Sequence, residues 1–285
     1  ALLVATLRRF GVKVRLRDLT NIEEVREAIN DDTCCVFLEI LTNPQLEVAD
    51  LKAISEVAHE KNVPLVVDST VIPFTQFSAK NLGVDIEVVS SSKYVSGGAT
   101  SLGGLVIDYG TPYNGDFAKR LYGEMLFNFG AYMTPQVAYM QTIGLETLDA
   151  RYRVQSGNAL ELAKKLRTLP QIQYVNYVGL EDNPYHELAQ RQFGKTAGAM
   201  ICIDLESKEA CFNFLNNLKL IHRATNLFDN RSLAIHPAST IFGAFSENMR
   251  KSMDVKDTTI RLSVGLEDVN DLFEDIKQAV EGIQK

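Results

Sequence analysis

The sequence predicts an α/β protein with a mostly parallel sheet domain over residues 1–145 and a smaller α+β domain over residues 146–285. In the first part, short runs of Val, Ile and Leu alternate with helix-like patterns, as in parallel strands that are buried on both faces. In the second part, a long helical pattern leads into mixed strand-like and helix-like segments. Each part has the usual size of a domain, about 50–200 residues.

The elements of the first part are predicted from apolar runs and from the turn residues between them. A short strand is expected at Val12–Leu16. A helix is expected at Asn21–Asn30, where Thr20 is the cap and Glu23 completes a capping box. The further expected strands are Cys34–Ile40, Val63–Val67, Ile86–Val89 and Leu105–Ile107, and the further helices are Ala49–Lys61 and Phe77–Leu82. We expect a sheet of the seven-stranded type.

The middle of the chain is predicted to be helical, and a long helix is predicted to enter the second domain. The expected helices are Phe117–Asn128, Pro135–Gly144 and the long Glu146–Leu169. Beyond them we expect strands at Tyr174–Val178, Gly198–Leu205 and Thr258–Val264, and helices at Lys208–Asn217 and Val269–Ile283.

The composition is that of a globular protein, with 46% hydrophobic and 23% charged residues. The formal net charge is −7 and no run of Lys or Arg occurs, so no nucleic-acid-binding surface is expected. The longest apolar runs, such as Val36-Phe37-Leu38, are too short to cross a bilayer, so no membrane contact is expected.

The four cysteines do not form a disulfide framework. Cys34, Cys35 and Cys202 lie in apolar, strand-like runs, so we expect them to be buried thiols. The cysteines and the four histidines show no metal-ligand spacing, and no metal is expected. A reducing, cytoplasmic compartment is favoured.

The chain begins at Ala1 without a methionine and directly enters a helix-like stretch, Ala1–Arg9. We interpret this as a chain that lacks the N-terminal part of the sheet domain.

Two charged residues directly follow predicted strands, and ligands of parallel sheets bind beyond those strand ends. Asp68 follows an apolar strand, and Lys93 follows Ser90-Ser91-Ser92. Alone, Asp68 is compatible with a turn or a cap, and Lys93 with an ordinary surface lysine. Together they fit a pyridoxal phosphate (PLP) site, in which an amine forms a Schiff base and a carboxylate keeps a proton on the pyridine nitrogen. Hydroxyl groups and backbone N–H groups beside the amine suit the phosphate.

These residues resemble the signature of the Cys/Met-metabolism family of fold type I PLP enzymes. The family pattern is an Asp-Asn-Thr-like turn, here Asp68-Ser69-Thr70, and then a Ser-x-Thr-Lys-like loop with glycines, here Ser90–Lys93. Leu41–Pro44, Gly144–Leu148, Ile235–Ser239 and Arg261–Asp268 also match. The resemblance covers nearly the whole chain and implies a fold type I PLP-dependent transferase.

The resemblance also implies a role for each matching residue. Lys93 would form the Schiff base and move protons, Asp68 would pair with the pyridine nitrogen, and Arg261 would bind the substrate α-carboxylate with its guanidinium fork. An ordinary ion pair is the alternative for Arg261. The other implied contacts are those of Ser90, Ser92 and Thr70 with the cofactor and its phosphate, of Asn43 with its phenolic oxygen, and of Asn226 with the substrate carboxylate. Ser92 stands where the family often has Thr, and His236 is interpreted as a structural residue.

The family resemblance implies shared active sites in a homotetramer built from two dimers. In the family, a segment that would precede Ala1 supplies a ring-stacking aromatic residue, a Gly-rich phosphate loop, and a Tyr and an Arg donated to the neighbouring subunit. The stretch Tyr132–Met140, rich in aromatic residues and Met, suits an interface, although burial in the helical middle is the alternative.

Within the family, Asn128–Asn158 and Ala224–Leu233 resemble the O-acetylhomoserine sulfhydrylases most. This implies that an acetylated homoserine and a sulfur nucleophile are joined to give homocysteine and acetate, a step of methionine biosynthesis. The alternatives are a methionine or cystathionine γ-lyase, and a catalytically silent family member. The partners implied are a small amino-acid substrate and a sulfur donor.

Overall fold

Two β-sheets organise the computed structural model, which describes residues 2–284. The first sheet has the order β1-β2-β3-β4, with β1 (Val36–Glu39), β2 (Leu65–Asp68), β3 (Ile86–Val89) and β4 (Leu105–Asp108). Its first three strands are parallel and β4 is antiparallel to β3. Glu39 pairs with Asp68 and Asp68 with Val88, so the carboxyl ends of the three parallel strands meet at one edge.

The second sheet has the order β5-β6-β9-β8-β7. Its strands are β5 (Tyr174–Asn176), β6 (Met200–Asp204), β7 (His222–Arg223), β8 (Leu233–Ile235) and β9 (Thr259–Ser263). Only β7 and β8 are a parallel pair in this sheet. The central strand β9 carries Arg261, and its Arg261 pairs with Cys202 on β6 and with Ile235 on β8.

Ten α-helices surround the two sheets within the described residues. They are α1 (Ile22–Ala28), α2 (Leu51–His59), α3 (Phe117–Arg120), α4 (Phe127–Phe129), α5 (Pro135–Glu146), α6 (Leu148–Leu166), α7 (His186–Phe193), α8 (Lys208–Asn217), α9 (Glu247–Ser252) and α10 (Val269–Glu281). Leu2–Thr6 and Leu121–Leu126 are π-helical, and Leu7–Phe10, Lys80–Leu82, Pro237–Ser239 and Gly282–Gln284 are 3-10 turns.

One continuous hydrophobic core runs from the first sheet through α6 to the second sheet. Leu38 and Val67 from the first sheet, Leu162 from α6 and Ile201 from the second sheet are all buried in it. A single residue, Thr147, separates the end of α5 from the start of α6, close to the expected boundary at residues 145 and 146. We propose that the two sheets mark two domains that meet there.

The mixed α/β fold is confirmed, and several local predictions are wrong. The first sheet has four strands in the described residues instead of the seven-stranded type. Val12–Leu16 is not a strand, because it pairs with no neighbour and both Val12 and Leu16 are exposed. The cap of α1 is Asn21 and not Thr20: Asn21 Oδ1 accepts the N–H of Glu23 at 3.2 Å. Ala1, where the expected first helix starts, and Lys285 lie outside the described residues.

Cysteine burial was predicted correctly for only part of the set. Cys202 is buried as expected, whereas Cys34 and Cys35, which were expected to be buried, are exposed. Cys211, for which no burial was predicted, is also buried. The two exposed thiols precede β1, which begins only at Val36, so they stand on a loop at the edge of the sheet.

Apolar side chains on the helical middle are exposed. Tyr132, Met133, Tyr139 and Met140 are between 37% and 69% exposed, so burial in the core of this chain is excluded. No helix among residues 2–284 is long and apolar enough to cross a membrane.

Candidate active site

The lysine loop, residues 90–104 between β3 and β4, carries Lys93 and leaves β3 at the edge where the parallel strands end. Its backbone forms tight turns, in which Lys93 N–H donates to Ser90 O at 3.1 Å and Gly97 N–H donates to Lys93 O at 3.0 Å. The Ser92 hydroxyl accepts the N–H of Gly103 at 2.9 Å and donates to its carbonyl at 3.2 Å. These bonds leave Lys93 half-buried, with its amine directed toward the second sheet.

A second group of residues joins the ends of β2 and β3. Asp68 is half-buried, and its Oδ1 accepts the N–H of Thr70 at 2.9 Å. The Thr70 hydroxyl in turn accepts the N–H of Ser90 at 2.8 Å. Asp68, Thr70 and Ser90 are therefore linked at one place, as the strand-end rule predicts.

A third group connects Lys93 to the second sheet. Lys93 Nζ donates to Asn226 Oδ1 at 2.5 Å. Arg261 is 1% exposed, and its guanidinium donates to Asn43 Oδ1 at 3.1 Å and to the carbonyls of Thr225 and Asn226 at 3.0 Å each. The four predicted residues Asn43, Lys93, Asn226 and Arg261 thus form one hydrogen-bonded network across the two sheets.

The network concentrates positive charge. Burial and the nearby Arg261 guanidinium lower the pKa of the Lys93 ammonium, and burial lowers the pKa of Arg261 to about 10. In the described part of the chain, no carboxylate is paired with either group, and the buried Nε of Arg261 has no hydrogen-bond partner. Because a buried cation without a counter-ion is costly, this place is suited to anionic groups of a ligand.

Glu39 is a site residue that the sequence analysis missed. Its Oε2 accepts the N–H of Asn43 at 3.0 Å, and in the sheet it is paired with Asp68. The residue keeps contact with solvent, yet burial of its carboxyl group among protein atoms raises its pKa to about 7, and the Asp68 charge adds to this. The sequence signal that could have identified Glu39 is its position after an apolar strand-like run, which is also the signal that identified Asp68.

The side chains at these strand ends fit PLP. The half-buried Asp68 and the loop that carries the half-buried Lys93 follow neighbouring parallel strands at the same edge of the sheet, and hydrogen bonds join Asp68 to Thr70 and the Thr70 hydroxyl to the Ser90 N–H. The uncompensated Arg261 offers its unpartnered Nε to an anion. Ser92 fits less directly, because its hydroxyl already makes both bonds to Gly103 and would have to exchange one of them for a phosphate oxygen.

Two other features of the fold lie apart from this group. His236 is buried, and its two ring nitrogens lie 2.8 Å from Ser239 Oγ and from Asp257 O, which is the arrangement of a satisfied structural histidine. A recess of about 720 Å³ opens beside α6 and α7, and neither Lys93 nor Arg261 lines it.

The sequence matches a family model and is similar to enzymes of known activity. The family model described as Cys/Met metabolism PLP-dependent enzyme matches residues 1–281. The L-methionine gamma-lyase of Fusobacterium nucleatum subsp. polymorphum is 38% identical over 287 residues, which cover 99% of this chain and 71% of the relative.

Two solved structures resemble the fold closely. The structure of O-acetylhomoserine sulfhydrylase from Wolinella succinogenes is 42% identical, has a TM-score of 0.85, and matches over 98% of this chain and 80% of its own. A Campylobacter jejuni structure, assigned as an O-acetylhomoserine (thiol)-lyase and carrying N'-pyridoxyl-lysine-5'-monophosphate, is 33% identical with a TM-score of 0.95. That match covers 98% of this chain and 73% of the other.

Proposed function

The chain belongs to the Cys/Met metabolism family of PLP-dependent enzymes, and from this premise we propose that it catalyses γ-replacement on O-acetyl-L-homoserine. A sulfur nucleophile replaces the acetate, and homocysteine and acetate are the products. The network of Lys93, Asn226 and Arg261 carries the amino-acid part of this proposal, because it places an amine beside a buried guanidinium that has no counter-ion. The similarity to the Wolinella succinogenes sulfhydrylase supports the sulfur-transfer part.

Pyridoxal phosphate is the cofactor of this family, and when bound it supplies an electron sink for the charge left by proton removal next to the amine. Lys93 is the residue to which it would be attached. Asp68 would hold a proton on its ring nitrogen, and Asn43 would contact its phenolic oxygen. The hydroxyls of Thr70, Ser90 and Ser92 would bind its phosphate side.

Three residues of the chain would bind the substrate and move its proton. Arg261 would bind the substrate α-carboxylate, since its fork matches a carboxylate geometrically and its Nε is unpartnered. Asn226 would keep the amine of Lys93 next to that carboxylate site through the bond to Nζ. The lowered pKa of Lys93 raises the fraction of neutral amine, which is the form that would accept a proton from the substrate.

The alternative function is γ-elimination from methionine or cystathionine. It is supported by the 38% identity to the Fusobacterium nucleatum methionine gamma-lyase. Both reactions use the same amine and the same carboxylate site, and they differ in what happens to the γ substituent. A catalytically silent homologue is the remaining alternative.

An assay of the PLP-loaded protein separates these functions. With O-acetyl-L-homoserine and sulfide, the proposed activity releases acetate and forms homocysteine without releasing ammonia. With L-methionine or cystathionine alone, a lyase releases ammonia and a 2-oxo acid. Ammonia release that exceeds homocysteine formation would contradict the proposal, and inactivity with all three substrates would indicate a silent homologue.

We further propose that the enzyme is a homotetramer in a reducing, cytoplasmic compartment. The exposed apolar side chains around Tyr132–Met140 support an interface, and the four free cysteines favour a reducing compartment. A stable monomer at micromolar concentration in sedimentation would contradict the assembly.

A further inference from the structure

A buried phenylalanine next to the site has an unusual backbone conformation. Phe228 has φ 57, in the left-handed region that glycine adopts freely and that a bulky side chain adopts only at an energetic cost. It belongs to the Thr225–Asp229 turn, which connects β7 to β8. Strained residues of this kind persist only where the surrounding contacts hold them, and they cluster at functional sites.

Contacts on two sides hold Phe228 in place. Its side chain is 0% exposed, and its ring stacks on Tyr94 with a centroid distance of 4.3 Å and an interplanar angle of 13°. Its N–H donates to Ser263 Oγ at 2.6 Å. Tyr94 directly follows Lys93 in the lysine loop, and Ser263 lies two residues after Arg261 on β9. Phe228 is thus tied to both elements that carry the charged groups of the site.

The turn itself supplies the contacts between those charged groups. Its Thr225 and Asn226 carbonyls accept hydrogen bonds from Arg261, and the Asn226 side chain accepts the bond from Lys93. Tyr94 is itself held by a further contact, because its hydroxyl accepts the N–H of Ala199 at 3.1 Å. A displacement of the turn relative to Tyr94 would therefore move the acceptor of the amine and two of the three acceptors of the guanidinium, the third being Asn43 Oδ1.

We propose that Phe228 is a positioning residue that fixes the Thr225–Asp229 turn between Tyr94 and Ser263, so that Arg261 and Lys93 are held in register for an amino acid. Phe228 touches neither charged group in this role and acts through Asn226 and Thr225. The proposal rests on Arg261 as the carboxylate site of the proposed function. It does not depend on which γ substituent the enzyme replaces.

Binding of L-norvaline to the PLP-loaded protein tests the proposal. This amino acid has the amine and the carboxylate of a substrate but no γ leaving group, so its dissociation constant is read from the visible absorbance of the cofactor without turnover. Two variants separate the ring from the backbone. Phe228→Gly removes the ring and relieves the left-handed strain, whereas Phe228→Ala removes the ring and keeps the strain.

Two further variants are matched controls. Phe214→Ala deletes an equally buried ring in α8, and should lower the melting temperature without changing the affinity for L-norvaline. Asn62→Gly relieves a left-handed residue at φ 55 outside the site, and should likewise leave the affinity unchanged.

We expect both Phe228 variants to bind L-norvaline about tenfold more weakly, with the control variants within about twofold of wild type. Unchanged affinity for Phe228→Ala would overturn the proposal, as would an equal loss in Phe214→Ala, which would indicate general softening. If Phe228→Ala does not fold, Phe228→Leu keeps most of the buried volume without the flat ring and must still weaken binding. Arg261→Lys is the reference: unchanged affinity there would contradict the carboxylate site itself, and this proposal with it.

Discussion

Asp68→Asn is the perturbation that isolates the charge of one site residue. In the structure Asp68 Oδ1 accepts the N–H of Thr70, and the Thr70 hydroxyl accepts the N–H of Ser90. Asparagine offers the same Oδ1 acceptor, so the turn is expected to keep its shape and only the negative charge is lost. The charge-assisted hydrogen bond that would hold a proton on the cofactor's ring nitrogen is worth roughly 1.5–3 kcal/mol. Turnover should therefore fall about tenfold to a hundredfold.

The assay for Asp68→Asn measures the turnover of O-acetyl-L-homoserine with saturating PLP, together with the affinity for PLP. The affinity should fall much less than the turnover, because the phosphate contacts remain. Asp50→Asn is the matched control, since Asp50 caps α2 by accepting the N–H of Ala53 and lies outside the site. Near wild-type turnover of Asp68→Asn would show that Asp68 is only a turn residue.

Three further predictions follow from individual contacts. Arg261→Lys replaces a guanidinium fork that makes three hydrogen bonds by a single ammonium. The KM for O-acetyl-L-homoserine, measured by steady-state kinetics, should therefore rise at least tenfold. An unchanged KM would contradict the carboxylate site. Burial raises the pKa of Glu39 from 4.5 to about 7, so between those pH values the folded protein holds a proton that the unfolded chain has lost, and rising pH destabilises the fold. Melting curves should show Glu39→Gln above wild type at pH 8 and equal to it at pH 4, and a constant difference would contradict this. A Cβ at Gly144 would meet Val95 O at 2.0 Å, so Gly144→Ala should lower the melting temperature and displace the lysine loop. The displaced loop should retain PLP less well during dialysis. Unchanged retention would show that the loop does not depend on this contact.

Site residues and helices could be predicted from the sequence where the signal lies in neighbouring residues of the chain. Asp68 ends the apolar strand β2 and Lys93 comes four residues after the apolar strand β3, and parallel strands bring their carboxyl ends to one edge, so their position at the same edge of the sheet could be predicted without coordinates. The helix α8 was predicted at its observed bounds, because its apolar spacing and its Ser207 cap are both local signals.

Contacts between distant segments could not be predicted in this way. The stacking of Tyr94 on Phe228 joins the lysine loop to a turn far along the chain, and no periodicity encodes it. The left-handed conformation of Phe228 runs against the preference of its own residue type. Strands β7 and β8 have only two and three residues, too few for an apolar pattern to mark them. Val12–Leu16 shows the opposite error, because an alternating pattern forms a strand only where a neighbour pairs with it.

Attachment of the cofactor to Lys93 is the point on which the proposed site depends most directly. Borohydride reduction of the PLP-loaded protein makes that attachment permanent, and mass spectrometry of the peptides then locates the modified lysine. We expect the pyridoxyl group on Lys93 alone, with no modified peptide in Lys93→Ala. A pyridoxyl group on any other lysine of the wild-type protein would contradict the site.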